Sequence, residues 1–560
     1  MSRVMKAVPF VVLSILIIAI PSVWANWVPD GVALCTATGN QERPQITLDG
    51  TGGAIITWED ARSGSYHDIY AQRVNASGAV QWAANGVALC TATDNQYGPA
   101  ITSDGAGGAI VTWSDYRGDT YDIYAQRVNA SGVVQWTADG VALCTAASWQ
   151  QGPQTVSDGA GGAIVTWYDQ RSGNADIYAQ RVNASGAVQW AANGVALCTA
   201  KLTQMDQTIT SDGAGGAIVT WEDSRNGRDH DIYAQRVNAS GAVQWAANGV
   251  ALCTLPENQE WPQITSDGGG GAIVTWVDLR LSTFYHIYAQ RVDASGVVQW
   301  TADGVALCTT ASYGQWACKI ISDGVGGAIV TWQDGRSGYN NIYAQRVNSS
   351  GAVQWTADGV ALAGATCHQT EPTIASDGIS GAIVTWDDTR SGNYDIYAQR
   401  VNSSGAVQWT AGGVVLCRAT GDQQHPMIAC EGSSDAIVTW EDYRSGATNG
   451  NVYCYGFPQP LTAADAPAVP VELHQNYPNP FNPATTMTYS ISERSNVTLK
   501  IYDVSGACIA CLVDGQQEKG SYAVQWMGKD EKGNPVTSGI YLYRLTAGNQ
   551  TISKKMVLLR

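Results

Sequence analysis

The sequence predicts an all-β chain, an eight-bladed β-propeller of four-stranded blades followed by an Ig-like β-sandwich. Three observations predict it. A unit marked by Trp-x-Asp-x-Arg recurs eight times, its tryptophan at 58, 113, 167, 221, 276, 332, 386 and 440, a spacing of 54 to 56 residues. Helix periodicity is missing everywhere after residue 25, and each unit carries short β-branched and aromatic runs separated by Gly, Asn, Asp and Ser. Beyond a Pro/Ala stretch at 458–470 the composition changes and the repeat stops.

Each unit has one grammar. PAITSD, GGAIVTWSD and DIYAQRVN in the second copy read as three strands, and VQW running on into GVALC reads as the fourth. Short turns make all four antiparallel, which is one propeller blade, and radial repetition of blades hides most strand edges. An open solenoid would want capping units with a polar outer face, and none is found. The first unit begins with its outermost strand (27–35) and the last stops after its third (451–457), so a ring closes if the N-terminal strand completes the final blade.

The chain divides into a leader (1–25), the propeller (26–457), a linker (458–470) and the sandwich (471–560). In the leader, Arg3 and Lys6 precede an apolar run broken by Pro9 and Pro21, and Val23-Trp24-Ala25 supplies a cleavage pattern, so export is expected. No later stretch is apolar enough to span a bilayer. Loss of Arg3 and Lys6 takes the formal charge from −17 to −19, which argues against nucleic acid as a partner.

Short alternating strands after residue 480 read as a sandwich of about 90 residues. QNYPNPFNP, the IYD-V-SG strand, SGIYLYRL and the terminal KKMVLLR resemble the C-terminal sorting domain of type IX secretion substrates, an Ig-like module related to that of flagellar hook-capping proteins. That resemblance implies a Gram-negative cell, the type IX machinery as partner, and release or attachment at the outer surface. Cys508-Ile-Ala-Cys511 departs from such tails; alternate strand positions face opposite ways, so the pair is not read as a metal site.

The repeats also resemble sialidase-type propeller blades, which pair a P-x-I-x-DG-G-x-x-x-W-x-D-x-R run with an Asp-box turn. Here the turn is NASGAVQW (75–82), with the aspartate gone and glycine shifted by one. The resemblance supports architecture more than activity. Trp58, Asp60 and Arg62 share one strand face, as do Trp221, Asp223 and Arg225, and this face is the same in all eight copies. A catalytic acid needs surroundings unlike its neighbours'. The triplets are therefore read as structural, a charged pair pinning the strand end under a packed tryptophan. No catalytic residue is assigned, and a sialidase-like glycoside hydrolase is the alternative.

Seven of the thirteen cysteines (35, 90, 144, 198, 253, 308 and 417) are one residue of the repeat, too far apart to bridge and read as buried thiols. Cys318 and Cys367 break the pattern and are the candidate disulfide. The SDG-x-GG turns offer one carboxylate each, short of a calcium shell, so no metal or cofactor is expected. The NAS and NSS triplets are read as turn chemistry.

Function is left to what varies. Two of the four connections differ between units, and propeller connectivity brings both to one face. They carry Tyr66, Tyr97, Trp149, Trp261, Phe284, Tyr285, Trp316 and Tyr339, interleaved with Asn, Gln and His. Aromatic platforms beside amides suit sugars or peptides. The expectation is a secreted or surface-attached, non-catalytic module binding a glycan or protein, with a purely structural repeat protein as the other reading.

Overall fold

The computed structural model describes residues 27–457 apart from 282–283, 311–312, 365, 431–435 and 447–448, and residues 472–559 apart from 474–475, 477–478, 492–493, 505, 519 and 548–549. The leader with its cleavage pattern and the 458–470 linker lie outside the described residues.

After an initial strand β1 (Val32–Cys35), the first blade is built from β2 (Gln41–Leu48), β3 (Ala54–Asp60), β4 (Asp68–Val74) and β5 (Val87–Cys90), paired antiparallel in chain order. Seven blades have this form. The eighth takes its outermost strand from the other end of the propeller: β1 pairs with Asn451–Phe457, as the ring-closure reading requires. One backbone bond repeats round the ring. Gln96 N donates to His67 O (2.8 Å) and Gln150 N to Tyr121 O (2.8 Å), and the last in the series runs from Gln41 N to Gly450 O (2.8 Å), across the closure.

The core lies between blades rather than within them. On β3, Ile55 faces the next blade and packs with Ala109, Val111 and Trp113. Ala54, Ile56 and Trp58 face the preceding one and pack with β1 and with Ile437, Val452 and Cys454. A strand covered on both faces must be apolar throughout, which is why β3 reads AIITWED without alternation and is buried along its whole length.

At the end of that strand the repeated triplet forms a closed lock. Trp58 Nε1 donates to Asp60 Oδ2 (2.7 Å), Arg62 Nε donates to Asp60 Oδ1 (2.8 Å), and Arg62 Nη2 donates both to Asp60 Oδ2 (2.5 Å) and to Asn85 O (2.7 Å). The guanidinium lies 3.7 Å from the centre of the Tyr70 ring. From the preceding blade, Cys35 sets its thiol against the Asp60–Arg62 pair, and Thr36 N donates to Asn85 Oδ1 (3.0 Å). Burial pushes the Cys35 thiol up to about 11, so it packs as a small neutral group. In the eighth blade Asp30 takes the role of Asn85: Arg444 Nη2 donates to Asp30 O (2.6 Å) and Arg418 N to Asp30 Oδ1 (2.9 Å). Gly31, at φ +90°, leaves no room for a Cβ, which would stand 2.5 Å from the Trp440 ring.

A second belt holds the opposite end. Asp49 Oδ1 accepts from Thr51 N (2.8 Å) and Gly53 N (2.9 Å), and Asp49 Oδ2 accepts from Arg73 Nε (2.9 Å). Arg73 Nη1 reaches Ala130 O in the next blade (2.9 Å). The SDG turn therefore spends its carboxylate on the fold. The Asn75 side chain caps its own turn, accepting from Ser77 N (3.0 Å) and Ala79 N (2.9 Å).

Three expectations need correction. The fourth strand does not include VQW: Val80 makes a single bridge to Val74, and Trp82 turns away to donate to Ala130 O of the next blade (3.1 Å). Its ring covers Gly132, whose absent Cβ would lie 2.7 Å away. Cys318 and Cys367 are both free thiols. Cys318 is buried against the preceding blade, near Trp261 O (3.9 Å), whereas Cys367 Sγ contacts Asp388 Oδ1 (3.7 Å). That contact replaces the repeat thiol in the one interface where Ala363, just past a shortened outer strand (Val360–Ala361), stands in the cysteine's place. Lastly, the expected burial of one of Cys508 and Cys511 against exposure of the other is not found, since both are exposed. Breaks in register opposite Leu499/Lys500 and Ile501/Tyr502 disturb the strand's simple alternation.

The C-terminal unit has a three-stranded sheet (Glu472–Leu473, Thr485–Ile491, Gly520–Trp526) and a four-stranded one (Cys508–Gln517, Ser495–Tyr502, Gly539–Ala547, Gln550–Leu558). Alternate residues from both, among them Met487, Tyr489, Leu499, Trp526, Tyr543 and Met556, form one core.

Deleting residues 26–37 removes buried Trp27, Leu34 and Cys35 and leaves Arg444 without Asp30. At about 1.5–3 kcal/mol per large buried side chain, the loss is expected to be roughly 5 kcal/mol, read as a lowered midpoint in chemical denaturation. Asp60→Ala leaves a half-buried guanidinium and a buried indole N–H without their acceptor and should cost about 2–4 kcal/mol. The equivalent change at Asp223 should cost the same.

Candidate ligand-binding face

Gln41 pairs with Asp60 across β2 and β3, so the connection entering the inner strand and the one leaving the second strand open at the same end of the blade. The lock residues lie beneath that end with their polar groups spent on one another. What differs between blades sits just above them.

Every inner strand is irregular near its start. In β2 the register breaks between Glu42 and Gln45, and Arg43 takes a left-handed conformation (φ +54°). Gly98, Gly152, Asp206, Trp261, Ala317, Glu371 and His425 repeat it. The bulge turns one backbone amide toward the preceding blade, where it meets the variable residue of Trp-x-Asp-x-Arg. Gly98 N donates to Glu59 Oε1 (2.8 Å), Trp261 N to Glu222 Oε1 (2.6 Å) and Arg43 N to Glu441 Oε1 (2.7 Å). Treating that position only as the variable face of the strand missed this contact. Its signal was the run of Glu, Asp, Ser and Gln at six of eight copies.

Where two blades add further ionisable groups, the bulge becomes a cluster. Glu222 is 3% exposed, and the Asp206 carboxyl beside it is raised, chiefly by burial. His230 Nδ1 lies 3.0 Å from Glu222 and 3.6 Å from Glu260, and the Tyr285 hydroxyl donates to Glu260. Burial above all, with the Asp206 and Glu260 charges adding to it, pushes Glu222 up to about 8 against the pull of the Trp261 amide. Across the ring, His425 Nδ1 sits 3.1 Å from Glu441, whose other oxygen holds Arg43 N. The Glu441 bond raises His425 to about 9, while burial holds the neighbouring Asp387 carboxyl well above its ordinary range.

The eight aromatic residues do not form one site. Tyr97 and Trp149 belong to a ladder over the first three blades: His67 and Tyr97 are 5.1 Å apart, Tyr97 and Tyr121 6.4 Å, Tyr121 and Tyr116 4.8 Å, and Tyr121 and Trp149 6.2 Å. Trp149 is 46% exposed at its end. Trp261 and Tyr285 form a separate pair at 5.5 Å. Phe284, Tyr285 and Trp316 join Tyr313 around a cavity of about 250 Å³ that also meets Asn340. Tyr339 packs edge-on against His368 (5.5 Å), and Tyr66 is exposed in its loop. Tyr97, Trp261 and Trp316 stand on inner strands rather than in loops. Tyr116, Tyr121 and Tyr313 were missed, although Tyr121 and Tyr313 lie in the same variable stretches and Tyr116 stands between the Asp and Arg of the repeated triplet.

Between the inner strands runs a cavity of about 660 Å³. Its wall is charged on one side, with Arg43, Glu371 and His425, and bare on the other, with Gly98 and Gly152 at the equivalent positions.

Residues 482–551 match the family model of the FlgD Ig-like domain. No curated protein matches the chain. Among solved structures the chain is similar to a puromycin hydrolase, at 14% identity over 70% of this chain and 58% of that one (TM-score 0.38). It is also similar to a Penicillium chrysogenum alpha-L-arabinanase complexed with arabinobiose, at 11% identity over 66% and 94% (TM-score 0.34), and to a Hadza microbial sialidase, at 10% identity over 54% and 65% (TM-score 0.34). The chain thus spans less than two thirds of the hydrolase and of the sialidase. The strand pairing above carries the fold by itself.

A carboxyl raised in the folded state loses stability as pH climbs from its unfolded value to its folded one. For Glu222 that window runs from the ordinary glutamate range, near 4.5, to about 8. Glu222→Gln keeps an acceptor for Trp261 N and cannot ionise. Denaturation midpoints measured from pH 4 to pH 9 should show the variant gaining on the parent through this window, with little difference below it.

Proposed function

We propose that this chain is an exported, non-catalytic propeller that binds a carbohydrate on the face bearing its variable connections, with the C-terminal Ig-like unit serving as its type IX export address. The observation that carries the binding reading is the aromatic ladder from His67 through Tyr97 and Tyr121 to Trp149. Successive rings 5.1 to 6.4 Å apart, the last of them open to solvent, offer a sugar chain a series of aromatic contacts. Their position on a scaffold locked at both ends of every blade supports the reading, because rigid platforms bind without an ordering cost. The export reading is supported by the apolar leader and by the tail motifs.

One observation favours hydrolysis as the second reading. Asp206 and Glu222 are paired carboxyls with raised pKa values, the attribute of a glycosidase acid. Against it, Glu222 is buried, and its oxygens are engaged by the Trp261 amide and His230.

A glycan array should return a selective hit on the full chain. Trp149→Ala or Tyr121→Ala should weaken it by about 1–2 kcal/mol, and Val133→Ser, in an exposed turn at the other end of the blade, should leave it unchanged. Equal losses from all three, or no hit, would favour a structural role. Turnover of aryl glycosides abolished by Glu222→Gln would establish the hydrolase instead.

A further inference from the structure

We propose that the central channel is a second binding site, separate from the aromatic face, which holds a small polyhydroxylated anion on Lys319. The cavity of about 660 Å³ lies within the range of small-molecule sites. Two residues beyond each bulge, the inner strands present a tier of side chains in equivalent register, each opposite the threonine of a second strand: Lys319 faces Thr331 as Gln45 faces Thr57 and Gln154 faces Thr166. The members lining the cavity are Gln45, Ala100, Gln154, Lys319, Thr373 and Met427. Five are neutral and one is an ammonium.

That lysine is unusual for this chain. Lysine is otherwise confined within the propeller to Lys201 in a connection, and the whole protein carries a formal charge of −17. Lys319 is half-buried and makes no ion pair among the described residues. The cavity's other cations are engaged at the rim, Arg43 by Glu59 (3.3 Å) and His425 by Glu441 (3.1 Å). The carboxylates that line the cavity, Glu42, Glu371 and Glu441, stand at the bulges or on a second strand, and none is at the lysine's register. A half-buried ammonium that reaches no carboxylate is completed by an anion brought to it. Gln45, Gln154 and Thr373 at the same level suit hydroxyl groups on the rest of the ligand. The chemistry is therefore a carboxylate or phosphate on a sugar or polyol body.

Glutamine stands at this register in three other blades, at 45, 154 and 263, so Lys319→Gln removes the charge with a side chain the fold already accepts. Isothermal titration of the full chain at low ionic strength with D-gluconate, glucose 6-phosphate, glucitol and glucose tests the proposal. One anionic probe or both should bind once per chain, about ten-fold or more tighter than its neutral counterpart. Lys319→Gln should abolish that preference, and Lys201→Gln should keep it. Gluconate alone would identify a carboxylate ligand, and glucose 6-phosphate alone a phosphate. No binding of either anion at millimolar concentration, equal binding of the neutral probes, or an unchanged preference in Lys319→Gln would overturn the proposal. Trp149→Ala should not affect this binding, so the channel site and the aromatic face stand or fall separately.

Discussion

The structure hangs on a buried carboxylate. Asp60 is sealed from water between an indole N–H and a guanidinium, and Arg62 also holds the carbonyl of Asn85 in the turn before the outer strand. A charge so placed is tolerated only when every lone pair is met. Meeting them fixes the end of the second strand, the turn before the fourth, and the cysteine of the preceding blade in one arrangement. Asp30 extends the same chemistry across the closure, so a ring of eight is completed by contacts identical in kind to those within it.

With the locks fixed, variation is confined to one layer. The residue between Trp and Asp cannot turn into the lock, because its strand position points to the following blade. There it faces the bulged start of the next inner strand. A glutamate at this position caps the bulge amide; a valine at Val277 cannot. The ionisable clusters around Glu222 and around His425 arise from this one contact plus whatever the two bulges add. Repetition supplies the scaffold, and the bulge and its cap supply the asymmetry that a single binding site requires.

Much of this was legible in the residues. The period, the strand count, the shared face of Trp58, Asp60 and Arg62, and the displaced outer strand all follow from alternation and spacing. The fourth strand was drawn too long because Val80 and Trp82 have strand-like character, and only the neighbouring Gly132 shows that the indole belongs to another blade. The aromatic residues were found as a set but not as groups. Tyr121 links Tyr97 to Trp149, and it lies in the connection of the second blade, between a ring on an inner strand and one in the following blade. The Glu222 cluster was missed for a similar reason: Asp206, Glu222, His230 and Glu260 come from two inner strands, a second strand and a connection.

By itself the sequence determined what depends on local periodicity. It set strand against helix, the face each side chain takes, the number of units and the residues that repeat, because these follow from backbone geometry and from copies that must solve the same packing problem. Tertiary structure alone decided which non-repeating residues meet. Blades contact their neighbours across interfaces some 40 to 60 residues apart in sequence, as Gly98 meets Glu59, and across the whole ring at the closure, as Arg43 meets Glu441. A bulge of one residue in each inner strand sets the direction of those contacts, and its left-handed turn is taken by Gly98, Trp261 and His425 alike. Residue preference does not announce such a turn; it is imposed where eight inner strands converge on one channel.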